Sequence, residues 1–302
     1  MQIGISMASA HRVRDPRQGA NQMIERTRVA AAAGLDSLFV GDHHVTAAPY
    51  YQNSVILARM LAEWPSRPAG ALYLLPLWNP VLVAEQTATL ASLTGGPFIL
   101  QCALGGDPAQ SAGMGIDIRY RPSMFEQSLD IIRRLWAGET LDADGHYPLR
   151  GSRIAPLPPE PIEVWIGATA HPAIDRAARL GDGWIGDPGL TPEQAKRRLQ
   201  MYHEACDRVG HKVGRRVIRR DIYVGESQSA AARAMAPYVE RGYRGFDPTA
   251  LVIGDPASVA DQFAALFDLG YTDVLVRNIS ADQTQALACL ERLAEVRQRL
   301  GL

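Results

Sequence analysis

Three polar residues that could do chemistry, Asp42-His43-His44, follow directly after the apolar run Ser37 to Gly41. An aspartate beside two histidines could bind a metal, transfer protons, or contact the edge of a bound cofactor. A metal site needs further ligands on other strands, and the later apolar runs end mostly in glycine, so too few ligands are available. A hydrogen-bonded structural pair of histidines fits the same pattern. The residue types alone leave proton transfer, cofactor contact and a structural role open.

Glycines make up the second group of candidate residues. Gly105-Gly106 and Gly167 each come at the end of an apolar run. Glycine at such a position lets a flat ligand or a phosphate approach the backbone closely, but it is also an ordinary way to turn from a strand into a helix. These glycines are therefore compatible with a ligand site and do not establish one.

Electrostatics distinguishes one loop from the others. The segment Ala168-Thr169-Ala170-His171-Pro172 opens a helix with no acidic residue before Asp175, and Thr169 is the expected cap. The positive end of this helix dipole is not neutralised, which favours a bound phosphate. The helix that opens at Asp255-Pro256 carries its own carboxylate and should repel an anion. The helix after Ser54 also lacks an early acid, so the preference for the 168–172 loop is not exclusive.

These residues need a scaffold, and short β-rich runs alternate with helical patterns along the whole chain. Eight strands are predicted at Gln2 to Met7, Ser37 to Gly41, Ala69 to Leu75, Phe98 to Leu104, Ile162 to Gly167, Gly183 to Gly186, Val217 to Gly225 and Asp273 to Asn278. Nine helices are predicted at Pro16 to Ala33, Ser54 to Ala62, Pro80 to Ser92, Pro122 to Ala137, Pro172 to Leu180, Pro192 to Val209, Ser227 to Arg241, Pro256 to Leu269 and Asp282 to Leu300.

Eight continuous apolar strands, each followed by a helix, predict an α/β protein with a (β/α)8 TIM barrel, in which reacting groups lie at the carboxyl ends of the strands. The barrel is expected to be a single domain over residues 1–302, with an irregular insertion before strand five at Gly138 to Pro161. Capping residues followed by proline predict helix starts at Asp15-Pro16, Asn79-Pro80, Thr191-Pro192 and Asp255-Pro256. Gly34, Gly181 and Gly270 follow helices, where left-handed caps are expected.

Composition excludes several functions. The 302 residues carry a net charge of -1, with no basic stripe for nucleic acid and no cationic amphipathic helix for a membrane surface. The start of the chain lacks a secretory pattern, so a cytoplasmic protein is expected. Cys102, Cys206 and Cys289 have no metal-ligand or disulfide spacing. The only two lysines, Lys196 and Lys212, lie outside the predicted strand ends, which excludes a Schiff-base enzyme.

Five segments together resemble one known family, in that family's order and over nearly the whole chain. They are GLDSLFVGDHH (34–44), NPVLVAEQTATLASLTGG (79–96), EQSLDIIRRLWAGE (126–139), VWIGATAHPAIDRAARLGDGWIG (164–186) and VIGDPASVADQF (252–263). They are similar to the bacterial luciferase-like monooxygenase superfamily. The resemblance implies a barrel that binds reduced FMN or the deazaflavin coenzyme F-420, with the ring system over the barrel mouth.

The resemblance also assigns roles to individual residues. His43 matches a histidine that acts as acid or base near the ring, and Asp42 matches the acidic residue before it. Ala71 and Leu72 fall where the family often has a bulge with a non-prolyl cis peptide. The further cofactor-binding positions implied are Gly105, Gly106, Gly167, Ala168, Thr169 and Ala170.

The chain departs from the family pattern at two places where many relatives carry arginine. Gly105-Gly106-Asp107 stands for a basic Gly-Arg-Gly, and Pro97 replaces a further arginine. With these arginines absent and the net charge close to zero, we expect backbone amides to hold the anionic part of the cofactor.

The implied function is a flavin- or deazaflavin-dependent oxidoreductase acting on a small to medium organic substrate. FMN would support oxygenation and F-420 hydride transfer, because a deazaflavin reacts poorly with oxygen. An Asp-His pattern is seen in F-420 users and a His-His pair in FMN monooxygenases, and Asp42-His43-His44 contains both. The alternatives are a non-catalytic flavin-binding relative and a metal-dependent hydrolase.

Substrate and partner expectations are coarser. An apolar and aromatic set is expected to contact the substrate, which favours a hydrophobic compound; its members are Met7, His11, Tyr50, Tyr51 and Trp78. The resemblance implies a homodimer, and with FMN a separate flavin reductase. No metal, nucleic acid or membrane is expected as a partner.

Overall fold

A computed structural model describes residues 1–302, and its strands run in chain order as follows. They are β1 Gln2–Met7, β2 Leu38–Val40, β3 Ala69–Leu74, β4 Phe98–Ala103, β5 Leu141–Ala143, β6 Leu149–Ser152, β7 Glu163–Gly167, β8 Gly183–Gly186, β9 Arg215–Val224, β10 Val252–Gly254 and β11 Asp273–Asn278. The neighbours β1-β2-β3-β4-β7-β8-β9-β11 pair in parallel, and β11 pairs with β1 to close the ring. The predicted (β/α)8 barrel is confirmed.

Ten α-helices connect the strands. They are α1 Pro16–Ala32, α2 Asn53–Leu61, α3 Pro80–Leu93, α4 Pro108–Gly113, α5 Arg121–Trp136, α6 His171–Leu180, α7 Pro192–Val209, α8 Gln228–Glu240, α9 Pro256–Asp268 and α10 Gln283–Arg299. All nine predicted helices and all eight predicted barrel strands are present close to their predicted bounds. None of the helices combines the length and the apolar character needed to cross a bilayer.

Three parts of the structure were not predicted. The insertion before the fifth barrel strand is not irregular, because β5 and β6 form an antiparallel hairpin within it. The short strand β10 pairs with the end of β9. Helix α4 begins at Pro108, and Asp107 caps it by accepting hydrogen bonds from the N–H groups of Ala109 and Gln110 at 2.8 and 3.3 Å. Asp107-Pro108 carries the same cap-then-proline signal that correctly located four other helix starts.

Those four starts are confirmed by side-chain caps at Asp15, Asn79, Thr191 and Asp255. Of the expected left-handed glycines, Gly34 has φ +81° and Gly270 φ +108°. Gly181 was predicted wrongly, since its φ is −100°. Its lack of a side chain serves a different purpose: a Cβ atom would lie 2.9 Å from the carbonyl oxygens of Ala177 and Gly183.

One layer of large side chains fills the middle of the barrel. It consists of Phe39, Ile99, Trp165, Val217 and Leu275. Two glycines make room for it: a Cβ on Gly70 would lie 2.8 Å from the Phe39 ring, and one on Gly183 would lie 2.9 Å from Trp165. The layer blocks the barrel and forms the floor of any cavity at the carboxyl end, as the close packing of protein interiors requires.

A buried carboxylate lies at the opposite, amino end of the barrel. Asp273, the first residue of β11, is 0% exposed, and neither of its carboxylate oxygens has a hydrogen-bond partner. The nearest cation is Arg215, at 3.8 Å. Desolvation by burial raises the pKa of Asp273 above its ordinary value, so the folded state holds this proton more tightly than the unfolded chain does.

Asp273→Asn should therefore stabilise the protein at neutral pH, because a neutral amide avoids the desolvation cost of the buried carboxylate. A raised carboxyl pKa makes the wild-type free energy of unfolding fall as pH rises through the window between the unfolded and folded pKa values. The gain should be present at pH 7 and absent below the unfolded pKa of about 3.9. Urea unfolding at pH 7 and at a pH below about 3.9 measures the gain in the free energy of unfolding. A variant that is less stable than wild type at pH 7 would contradict the raised pKa of Asp273.

Candidate functional site

A cavity of about 250 Å³ opens above the barrel floor, at the carboxyl ends of the strands. Its wall combines backbone, apolar side chains and a few polar groups, the usual mixture in small-molecule sites. The lining residues are Ser6, Val40, Gly41, Leu72, Gln101, Ala103, Gly167, Ala168, Thr169, Ile185, Gly186, Asp187, Pro188, Arg219 and Leu275. Four of the ten positions predicted to bind the cofactor belong to this wall, namely Leu72, Gly167, Ala168 and Thr169.

Asp42 joins the end of β2 to the end of β3. The residue is 1% exposed, and its Oδ2 accepts hydrogen bonds from the Leu74 N–H and the Trp78 indole N–H, both at 2.8 Å. Its Oδ1 lies 3.1 Å from Nε2 of His44. Asp42 does not line the cavity, so the structure gives this residue a positioning role at the barrel rim.

His44 is held in the same joint. Its backbone N–H donates to Oε1 of Gln110 on α4 at 2.5 Å, and its ring packs edge-on against Trp78 with centroids 5.1 Å apart. Asp107, the last residue of the Gly105-Gly106-Asp107 segment that departs from the family pattern, starts the helix that brings Gln110 to this position. The departure from the family pattern thus has a local structural reason.

His43 is the exposed member of the pair. Its side chain faces solvent at the mouth, and its ring packs edge-on against Tyr50 with centroids 5.4 Å apart. Partial desolvation of the ring lowers the pKa of His43 below its ordinary value, although the Asp42 carboxylate opposes this. The imidazole is therefore neutral at pH 7 and free to accept a proton.

Tyr50 reaches the mouth because Gly41 leaves space for it. A Cβ on Gly41 would lie 2.7 Å from the Tyr50 hydroxyl. Desolvation raises the pKa of Tyr50 to about 12, so the phenol stays protonated and can serve only as a neutral hydrogen-bonding group. Gly41 was not among the predicted site residues, although it ends the second predicted strand.

The other residues expected to contact a substrate are engaged in the protein. Met7 is 3% exposed in the core, and His11 uses both ring nitrogens, at 3.0 Å from Oε1 of Gln22 and 3.1 Å from the Ala8 carbonyl. Trp78 donates its indole N–H to Asp42, and the Tyr51 hydroxyl donates to the Pro16 carbonyl. None of them lines the cavity, and their contact with a substrate stays a prediction.

The loop between β7 and α6 combines cavity wall and helix start. Thr169 does not cap α6; the N-cap is Ala170, with no side-chain hydrogen bond and no acidic residue in the first turn. The N–H groups of Thr169, Ala170 and His171 donate to no acceptor in the protein. Three unused donors at the positive end of a helix form a cradle for an anion beside the cavity.

The expected cis peptide at Ala71-Leu72 is wrong. The only cis bond in the chain is Ala155-Pro156, and β3 runs without a bulge. Ala71 pairs with Leu100 and Leu72 with Gln101 in an unbroken parallel register, which holds both residues in regular strand geometry. Leu72 lines the cavity, whereas Ala71 is fully buried in the core, so only the side chain of Leu72 is within reach of a ligand.

The loop after β4 is open enough for a ligand. Gly105 has φ +70°, a conformation that favours glycine, and a Cβ on Gly106 would meet nothing within 4 Å. Neither residue lines the cavity. Their role as cofactor contacts stays a prediction.

Four polar cavity residues were missed from the sequence, namely Ser6, Gln101, Asp187 and Arg219. Gln101 on β4 is 6% exposed, and its Nε2 has no acceptor. Arg219 on β9 has no acceptor for its Nε, and desolvation lowers its pKa to about 10. Gln101 and Arg219 lie within predicted strands, where a charged residue such as Arg219 is itself an unusual signal.

The side-chain geometry gives the metal-dependent alternative no ligand set. No group of three or more His, Cys, Asp or Glu side chains is arranged to hold a metal ion. Oδ2 of Asp42 is committed to its hydrogen bonds with Leu74 and Trp78.

Comparison with known proteins agrees with this geometry. The profile of the luciferase-like monooxygenase family matches residues 1–273. The chain belongs to this family. A relative from Mycolicibacterium fortuitum, an F420-dependent glucose-6-phosphate dehydrogenase, is 30% identical over 192 residues. That alignment covers 59% of this chain and 56% of the relative, little more than half of each.

A dehydrogenase of the same description from Intrasporangium calvum is 24% identical and covers 89% of this chain and 92% of its own. Two solved structures share the fold. The monooxygenase RslO1 from Streptomyces bottropensis superposes with a TM-score of 0.87 at 17% identity, with full coverage of both chains. The oxygenating constituent of 3,6-diketocamphane monooxygenase from Pseudomonas putida, in complex with FMN, gives a TM-score of 0.81 at 18% identity and covers 99% of each chain.

The joint at Asp42 leads to a prediction about stability. Asp42→Ala leaves the Leu74 N–H and the Trp78 indole N–H without acceptors in a buried place, and should cost about 2 to 4 kcal/mol. Trp78→Phe removes only one donor together with its bond and should cost about 1 kcal/mol. Guanidinium unfolding measures both, and equal losses in the two variants would contradict the positioning role of Asp42.

Proposed function

We propose that this protein is an oxidoreductase that binds reduced FMN or coenzyme F-420 at the barrel mouth and acts on a small organic substrate. Family membership supports the class of cofactor. The observation that carries the proposal is the adjacency of the cavity and the uncapped start of α6, because Thr169 belongs to both. A ligand with a flat ring system and a phosphate attached through a chain matches this arrangement.

The size of the cavity decides which part of the cofactor enters it. A volume of about 250 Å³ lies just below the range of about 300 to 1,000 Å³ typical of small-molecule pockets. We propose that the ring system lies in the cavity against Leu72 and Gly167, with the Gln101 amide as a donor to it. The phosphate would accept hydrogen bonds from the N–H groups of Thr169, Ala170 and His171.

His43 is proposed as the proton acceptor or donor. It is the one member of the Asp-His-His sequence that is free at the mouth, and its neutral ring at pH 7 suits it to accept a proton. Asp42 and Gln110 would hold the backbone around it. The bound cofactor supplies either oxygen activation, as FMN, or hydride transfer, as F-420.

Partners follow from the choice of cofactor. With FMN, we propose that a separate flavin reductase delivers the reduced form. A homodimer is proposed from the family resemblance, and a cytoplasmic location is proposed as well. The relatives' named substrates, glucose 6-phosphate among them, are first candidates for an activity screen.

The phosphate cradle can be tested without knowing the substrate. Ala170→Asp gives α6 a capping side chain, which should stabilise the helix by about 1 kcal/mol, and places a carboxylate where the phosphate is proposed. Ala170→Asn makes a similar cap without charge. Titration with FMN, reduced FMN and F-420 should show at least tenfold weaker binding for the aspartate variant and near wild-type binding for the asparagine variant.

Thermal unfolding of both variants should show equal or higher stability than wild type, so a loss of affinity cannot be attributed to misfolding. Equal affinities for the aspartate and asparagine variants would show that the phosphate does not bind at the start of α6. No binding of any of the three cofactors by the wild-type protein would refute the proposed function.

The role of His43 has its own test. His43→Ala should lower turnover about a hundredfold or more, the typical contribution of a positioned acid or base, with little change in unfolding midpoint or cofactor affinity. F-420 absorbance with secondary alcohols and glucose 6-phosphate, and oxygen consumption with reduced FMN and ketones, are the two readouts. Retention of wild-type turnover would remove His43 from the reaction.

A further inference from the structure

Strands β9 and β11 place two arginines at the mouth, and β8 alone separates β9 from β7, the strand that leads into the phosphate cradle. Arg219 lines the cavity from β9. On β11, Leu275 faces the cavity, and Arg277 follows two residues later, so strand alternation puts it on the same face nearer the rim. In the pairing register Arg277 lies opposite Asp221, which is two residues beyond Arg219. Both guanidinium groups therefore belong to one quadrant of the mouth.

One oxygen of the carboxylate in this quadrant is already hydrogen-bonded to other residues. Asp221 is 0% exposed, and its Oδ2 accepts hydrogen bonds from the Tyr243 hydroxyl at 3.0 Å and from Arg244 at 2.7 Å. Arg219 approaches Oδ1 of Asp221 only to 3.6 Å, too far for a hydrogen bond. Arg277 makes no ion pair and no side-chain hydrogen bond in the protein. Asp187 also lines the cavity, but its Oδ1 accepts from the Gly189 N–H.

The charge of Arg219 is therefore only partly neutralised by a carboxylate, and Arg277 has no ion-pair partner. The Arg219 side chain is 21% exposed, and its Nε has no acceptor. Desolvation is the largest cause of its lowered pKa; the Asp221 carboxylate opposes this shift, and the positive charge of Arg277 lowers the pKa further. A buried donor without an acceptor costs about 1 to 3 kcal/mol, and more when it is charged. An acceptor that carries negative charge would remove this cost, and arginine binds carboxylate and phosphate through paired donors.

We propose that Arg219 and Arg277 form a subsite for a carboxylate or phosphate group of the substrate. This proposal rests on the proposed function and names the chemical class of its substrate. The proposal replaces two expectations from the sequence. These are a hydrophobic substrate and a barrel mouth that has no cluster of basic residues. In the ring of eight strands, β9 and β11 lie across the mouth from β3 and β4, which carry Leu72 and Gln101 of the proposed ring site. Arg219 lines the same cavity as Thr169, but the subsite is built from guanidinium groups on β9 and β11, whereas the cradle is built from backbone N–H groups at the start of α6.

The position of the subsite also orients the substrate. The charge of Arg277 acts on His43 and Tyr50, since it is among the causes that shift their pKa values, after desolvation as the largest. A substrate anchored on Arg277 by its anionic group would extend its uncharged part past these two rings and over the cavity. The reacting carbon would then lie between His43 and the proposed ring position.

Calorimetric titration with inorganic phosphate and with benzoate tests the subsite on the protein as it exists. Arg277→Gln should weaken binding of at least one of the two probes tenfold or more. Arg197→Gln makes the same charge change on the exposed face of α7, where Arg197 has no partner, and should bind as wild type. Thermal unfolding of Arg277→Gln confirms that it folds, and Arg219→Gln provides a second variant of the same subsite.

Two further measurements separate the possible sources of the anion. Ala170→Asp should leave the Arg277-dependent binding intact, because it alters only the cradle at α6. Saturating FMN or F-420 should leave that binding within threefold of its value in the free protein; competition would assign the arginines to the cofactor's own phosphate and overturn the proposal. Preference for phosphate over benzoate, or the reverse, identifies the anionic group.

Failure of this proposal can be told apart from failure of the proposed function. If no flavin or deazaflavin binds, the anion titrations on the free protein still report on Arg219 and Arg277. If neither phosphate nor benzoate binds the wild-type protein, or if Arg277→Gln binds both as well as Arg197→Gln does, the subsite is refuted while cofactor binding stands on its own data.

Discussion

The close packing of the barrel interior is the constraint on which the rest of the structure depends. Eight strands enclose a space that side chains must fill, and a single layer that includes Phe39 and Trp165 fills its middle. Large rings fit only where neighbouring strands carry glycine, as at Gly70 and Gly183. Below this layer the barrel carries the buried charge of Asp273. Above it the interior is left open, so the cavity and every group around it lie at the carboxyl end.

The next level of organisation is the joint at Asp42. By accepting hydrogen bonds from the end of β3 and lying close to His44, this carboxylate ties two strand ends together. The two adjacent histidines therefore differ in function: His44 is held between Trp78 and Gln110, whereas His43 is left free at the rim. Helix α4 carries Gln110, and Asp107 caps the start of that helix. The capping aspartate therefore helps to hold His44 in place.

The mouth is electrostatically divided. On one side, unpaired backbone N–H groups at the start of α6 offer a neutral cradle strengthened by the helix dipole. At the ends of β9 and β11, guanidinium groups outnumber the carboxylates available to them, because Asp221 is already bonded to Tyr243 and Arg244. A net charge of -1 for the whole chain conceals this local field, which depends on which charges face one another. A ligand with anionic groups at both ends would match both sides.

The sequence by itself determined the barrel, its helix starts and the loop at Ala170, because apolar periodicity and capping residues act over a few neighbouring positions. It also located His43 at a strand end. It could not distinguish His43 from His44, because Trp78 and Gln110, which hold His44, are distant from it in the chain. The family resemblance implied a cis peptide at Ala71-Leu72, but Leu72 pairs regularly with Gln101 and no cis peptide is present there. Only the tertiary structure brought Arg219 and Arg277 together, because strand register decides which residues share the mouth and which charges remain unpaired.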